Sequence, residues 1–191
     1  MSKSALPPSI PSAGGASRTG LLVIDMQVAL YNGPVPPFRG EAVLSAINRL
    51  IAKARAAEAP IFAVQHTGPI GSPVERGSAG WALIPELEID PRADTLVDKQ
   101  APSCFTGTLL HSWLQAQSVD TLVVTGMKTQ YCIDTACRAA SALGYQVILA
   151  ADAHTCMDTE ALPAEKIIAH HNVTLAGPFV RLEAAESIAF R

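Results

Sequence analysis

The sequence predicts an α/β protein: a three-layer, doubly wound sandwich around a mostly parallel sheet of about six strands. Three observations lead there. Short runs rich in Val, Ile and Leu are nearly continuous rather than alternating, the pattern of strands buried on both faces. Segments of helical periodicity separate them, so consecutive strands need crossover connections and lie parallel. Such crossovers are right-handed, which puts helices on both faces of the sheet. A chain of 191 residues suits one hydrophobic core. No internal repeat and no Pro/Gly linker divides it.

The elements follow in order. Met1 to Thr19 is rich in Pro, Ser, Gly and Ala without an apolar signal core, so residues 1–19 are expected to be a flexible tail ahead of a single domain over 20–191. Strands are expected at Leu21–Asp25, Ile61–Gln65, Thr95–Asp98, Thr121–Val124 and Gln146–Ala150, with a weaker sixth at Val173–Leu175. Helical stripes lie between them. Ala42–Glu58 aligns Val43, Ile47, Leu50, Ile51 and Ala54, and Gly107–Ala116 aligns Leu109, Leu110, Trp113 and Leu114. Ile133–Leu143 has the small-residue pattern of a helix packed on a sheet. Thr67–Glu88 breaks the rhythm, being rich in Gly and Pro and carrying Trp81. A loop this long inside a domain is usually functional, and this one follows the second strand at the carboxyl edge, where ligands bind in open α/β sheets.

Composition narrows the function. The chain is 49% hydrophobic and 16% charged, with a net charge of −3 and a pI near 5.9. It lacks the concentrated basic face that phosphate recognition needs, so nucleic acid is not an expected partner. No apolar stretch approaches the roughly 20 residues of a membrane-spanning helix, so no membrane is expected either. Cys104, Cys132, Cys137 and Cys156 form no Cys-x-x-Cys pair and read as free thiols of a cytoplasmic protein. The chain has no Gly-x-Gly-x-x-Gly after a strand, no P-loop, no Gly-x-Ser-x-Gly elbow and no His-Glu-x-x-His. Dinucleotide enzymes, NTPases, serine hydrolases and zincins lose their usual support.

Three reactive groups fall at the carboxyl ends of three separate strands: Asp25, Lys99 and Cys132. In a parallel sheet those ends share one side, so a carboxylate, an ammonium and a thiol can meet in one crevice. Singly, the Asp reads as a turn residue, the Lys as solvent-facing and the Cys as core; their coincidence at equivalent ends favours chemistry. Cys132 stands where a strand runs into a helix. The helix dipole and unpaired N–H groups there are expected to favour thiolate and to receive an oxyanion.

Leu22-Val-Ile-Asp-Met-Gln27, Lys99 with Pro102-Ser-Cys-Phe105, and Val124-Thr-Gly-Met-Lys-Thr-Gln-Tyr-Cys132 resemble the signature regions of the isochorismatase-like cysteine hydrolases. That superfamily includes nicotinamidases and the amidohydrolases of N-carbamoylsarcosine and ureidoacrylate. The similarity spans about residues 20 to 181, including Leu149-Ala-Ala-Asp-Ala-His154. It implies an Asp25–Lys99–Cys132 catalytic triad and an oxyanion hole from the backbone N–H groups of Lys128 and Cys132. It also implies a non-proline cis peptide at Met127–Lys128 and an oligomer, a homodimer or larger. Asp25 would act as base and then acid, Lys99 as a fixed cation, and Cys132 as a nucleophile forming a thioester.

One departure matters. Nicotinamidases carry Asp-x-His and a second downstream His for a divalent metal, whereas this chain has Gln65-His-Thr-Gly68 and no second His in the loop. One imidazole is a poor metal site, so neither a metal nor any other cofactor is expected. His66 reads mainly as a loop histidine. Around the triad, Gln27 is a candidate for orienting the site, Trp81 and Phe105 for pocket walls, and His66 and His154 for the rim. The expected activity is metal-independent hydrolysis of a small amide, ureido or carbamoyl compound. A vinyl-ether hydrolase of the isochorismatase type would not need to keep the Cys, and an idle thiol-sensing module would oxidise reversibly without turnover.

Overall fold

Arg18–Ile24 (β1) sets the layout. Every residue from Thr19 to Ile24 is buried. Leu21 and Val23 join one apolar cluster, while Leu22 and Ile24 join another, because successive side chains leave a strand on opposite faces. A strand apolar on both sides has to be covered on both sides. The structure, a computed structural model, describes residues 18–191. After β1 come α1 (Val28–Tyr31), α2 (Gly40–Ala56), β2 (Ile61–His66), β3 (Thr95–Lys99), α3 (Leu110–Ala116) and β4 (Val119–Met127). A π-helical turn (Thr129–Ile133) then runs into α4 (Asp134–Ala142), followed by β5 (Gln146–Thr155), α5 (Ala164–Leu175) and β6 (Arg181–Glu183).

The six strands lie in the order β3-β2-β1-β4-β5-β6, and every neighbouring pair is parallel. On one face α2 buries Val43, Ala46, Ile47, Leu50, Ile51 and Ala54. On the other, Leu110 and Leu114 of α3 pack with Ala136, Cys137 and Ala140 of α4. The winding reverses between β1 and β4, the place beyond whose carboxyl ends sheets of this kind hold their ligands. Gly126 permits that approach. Its φ is 114°, and a Cβ there would lie 2.1 Å from the Ile24 carbonyl oxygen.

Several sequence expectations shift. Val173–Leu175 belongs to α5, and the sixth strand is Arg181–Glu183. The β-branched preference of Val-Thr loses to helical burial, since Leu175 continues the stripe of Ala164 and Ile167. β5 runs to Thr155 rather than ending at Ala150, because pairing with β4 resumes after a register shift, with His154 opposite Gly126. Arg18 and Thr19, expected in the tail, open β1; the rest of that segment lies outside the described residues. Among the described residues no helix is long and apolar enough to cross a membrane.

Candidate active site

The backbone delivers three side chains to one point. Asp25 directly follows β1 in the left-handed region, with φ 54°. An Asp tolerates that conformation better than most residues, and it turns the chain away from the sheet. Lys99 ends β3, with its carbonyl accepting from Thr67 N at 2.7 Å. Cys132 lies within the π-helical turn and is half-buried. The Lys99 ammonium reaches Asp25 Oδ2 at 2.8 Å, Cys132 Sγ at 3.2 Å and the Ala101 carbonyl at 3.2 Å. Its three donors thus meet three acceptors. Asp25 and Lys99 are each only 1% exposed, and a buried ammonium is tolerated when its donors are met in this way.

The electrostatics correct one expectation. Burial first, then the Asp25 charge, push the Cys132 thiol up to about 12, and Lys99 pulls the other way without prevailing. The resting sulfur is therefore a protonated thiol, not the thiolate expected from a helix start. Burial also raises the Asp25 carboxyl, with Lys99 and then Cys132 only partly offsetting it. Burial alone would lower the Lys99 ammonium, but Asp25, then Cys132 and Cys104, hold it above its ordinary value. Asp25 Oδ1 is buried without a conventional hydrogen bond, although the thiol lies within interacting range of the carboxylate. A carboxylate of raised basicity with a free oxygen beside a thiol is equipped to accept its proton.

The surrounding residues divide into supports and neighbours. Gln27 is fully buried and latches the edge together: Nε2 donates to the carbonyls of His66 at 3.0 Å and Trp81 at 2.8 Å, and Oε1 accepts from His66 N at 2.8 Å. His66 pairs in register with Lys99, at the triad. It is not the satisfied loop histidine expected, since Nδ1 is buried without a partner. Burial, then Lys99, lower its pKa. Trp81 tethers the long loop. Its indole N–H donates to Thr67 Oγ1 at 2.7 Å, its carbonyl also accepts from Gln65, and the Arg76 guanidinium lies 5.7 Å from its ring. Phe105 stacks on Tyr145, with centroids 6.2 Å apart, and packs against the same apolar cluster as Cys132.

His154 is not on the rim. It is 1% exposed and bonds Thr129 and Asn172. Lys128 caps the π-helical turn with its carbonyl, accepting from Tyr131 N at 3.0 Å and Ile133 N at 3.3 Å, and the Met127–Lys128 peptide is cis. Asp134 and Arg138 pair at 3.0 Å, four residues apart on α4, and the Arg138 guanidinium lies over Phe179. Thr129 lies inside the signature region ending at Cys132, but nothing in that motif assigns its hydroxyl a partner, and Asn172 lies in no motif; only the β4–β5 register brings His154 between them. Among the described residues no three His, Cys, Asp or Glu side chains form a metal-binding group.

Comparison with known proteins places this geometry among relatives. The isochorismatase domain family matches residues 19–170. A streptothricin hydrolase of Streptomyces noursei is 34% identical over 143 residues, covering 75% of this chain and 51% of the relative, so the chain spans about half of that protein. The crystal structure of an isochorismatase family protein superposes with a TM-score of 0.82 at 33% identity, covering 87% of this chain and 98% of that one. A cysteine hydrolase from Pseudomonas syringae pv. phaseolicola 1448A gives a TM-score of 0.81 at 26% identity, with coverage of 97% and 95%.

Proposed function

Since the chain belongs to the isochorismatase family, we propose that it is a cysteine hydrolase that cleaves a C–N bond of a small amide, ureido or carbamoyl compound through a thioester. The observation that carries this reading is the contact chain Asp25–Lys99–Cys132, with every ammonium donor used and one carboxylate oxygen left free. The named activities of similar proteins, a streptothricin hydrolase and a cysteine hydrolase, are consistent with it.

In the proposed reaction, Cys132 Sγ attacks the substrate carbonyl carbon while its proton passes to Asp25. Concerted transfer suits a thiol held at about 12, since free thiolate is scarce at neutral pH. The backbone N–H groups of Lys128 and Cys132 receive the oxyanion. The C–N bond breaks as Asp25 returns the proton to the leaving nitrogen, and ammonia or an amine departs. Water, deprotonated by Asp25, then cleaves the thioester to the acid and restores the thiol. Lys99 stays charged throughout and opposes the rise that burial imposes on the Asp25 carboxyl. Every step uses groups of this chain, so no metal is required.

The test is an ammonia-release screen over small amides, ureido acids and carbamoyl amines, with Cys132→Ala as the blank. The wild type should turn over at least one class, and the variant none while remaining folded. Hydrolysis persisting near the wild-type rate in Cys132→Ala would rule out the thioester route.

A further inference from the structure

Of the five histidines, His154 alone is fully buried, and its two ring nitrogens are both used. Nδ1 lies 2.9 Å from Thr129 Oγ1, and Nε2 lies 2.8 Å from Asn172 Oδ1. Asn172 Nδ2 donates to the Ala151 carbonyl at 3.4 Å, which leaves Oδ1 facing the ring. An amide oxygen only accepts, so Nε2 carries a proton. A hydroxyl both donates and accepts, so the Thr129 contact serves either charge state of the ring. Burial favours the neutral ring and holds the His154 pKa down to about 4. In that form Nδ1 presents its lone pair and the Thr129 hydroxyl donates to it.

The position of these groups gives the bonds their meaning. Thr129 is buried and begins the π-helical turn that contains Cys132. A π turn is an unfavourable piece of helix, and this one has no side-chain cap of its own. Its closing bond, Ile133 N to the Lys128 carbonyl, is long at 3.3 Å. The Thr129 hydroxyl ties its first residue to a neighbouring element instead. His154 stands opposite Gly126 in the β4–β5 register, beside the point where the chain leaves the sheet toward the nucleophile. Asn172 belongs to α5, a third element.

We propose that Thr129, His154 and Asn172 form a positioning relay that locks the π-helical turn from α5, keeping the Cys132 sulfur and the Lys128 and Cys132 N–H groups in one geometry for attack. The three act through the turn rather than on the reacting atoms. Removing a link frees the turn to sample other arrangements. Oxyanion stabilisation needs several donors aligned at once and suffers most, whereas simple alkylation of the thiol needs only the sulfur.

The experiment uses the full chain with Thr129→Val, Thr129→Ser and Asn172→Ala. Hydrogen exchange over residues 128–136 reads the turn directly. Acylation by p-nitrophenyl acetate, which forms the acetyl thioester and expels p-nitrophenolate, is compared with alkylation by iodoacetamide. In Thr129→Val and Asn172→Ala, exchange over that segment should rise roughly tenfold, the scale of one buried hydrogen bond. Acylation should fall by about tenfold or more, while alkylation should change less than about threefold. Thr129→Ser keeps the hydroxyl and should restore both exchange and acylation. If Thr129→Val does not fold, Asn172→Ala breaks the relay from its half-exposed end. The acylation arm rests on the cysteine-hydrolase reading, and the exchange arm does not. Wild-type exchange in both breaking variants would overturn the relay, as would acylation and alkylation falling together. Faster exchange in a chain whose wild type is never acylated would support the relay and count against the hydrolase reading instead.

Discussion

Replacing Asp25 by Asn removes a charge while keeping the shape, and it should make Cys132 more reactive toward an alkylating agent while abolishing hydrolysis. In the wild type the thiol sits at about 12, so near about pH 9 roughly one sulfur in a thousand is thiolate. Burial persists in the variant, but the second cause of the rise, the Asp25 charge, is gone. The Lys99 ammonium remains 3.2 Å from the sulfur and no longer shares its charge with a carboxylate. Changes of this kind move a pKa by about 1–3 units. A fall of about 2 units multiplies the thiolate fraction roughly a hundredfold. Each thiolate is then less nucleophilic, by a Brønsted slope of about 0.4–0.5, which leaves a net gain near tenfold. Iodoacetamide alkylation of Cys132, followed by mass spectrometry across a pH series, measures the gain, and ammonia release measures the loss of turnover. Alkylation no faster than wild type throughout the alkaline range would refute the electrostatic reading. Retained turnover would refute Asp25 as the proton carrier.

Other consequences are open to measurement. Lys99→Met leaves a buried carboxylate without its counter-ion and should cost about 3–5 kcal/mol in urea unfolding; a loss below about 1 kcal/mol would mean that water reaches Asp25. His154 has a folded pKa near 4 against 6.5 unfolded. The unfolded state therefore binds more protons between those values, and the stability from a neutral His154 is full above about 6.5 and declines as pH falls toward 4. That amounts to about 3 kcal/mol, so the stability gap between wild type and His154→Gln should narrow on acidification; a gap independent of pH would contradict it. Treatment with EDTA should leave turnover unchanged, and loss restored by zinc or manganese would overturn the metal-free route. The chain should self-associate, given Ile70 at 92% and Val173 at 78% exposure in the Gly/Pro loop and α5; a monomer mass by light scattering at micromolar concentration would contradict that.

Local chemistry made much of this protein legible before any fold was known. The apolar runs of β1, β2, β4 and the first half of β5 can only be strands buried on both faces, and a parallel sheet then forces Asp25, Lys99 and Cys132 to one edge. Those conclusions need only periodicity and connectivity. The sequence could not say that the Cys132 thiol rests protonated, because burial depends on everything packed around it and here outweighs the nearby ammonium. Nor could it place His154, whose contacts follow from a register shift in β5 that sets it opposite Gly126 and between Thr129 and Asn172, residues far from it in sequence. Val173–Leu175 misled for the same reason: β-branched preference is a weak local force, and the stripe that buries Leu175 exists only once α5 has a surface to pack against. Reactive groups and their order along the chain were decided by sequence, whereas their protonation and aim were decided by the distances and burial that tertiary structure alone supplies.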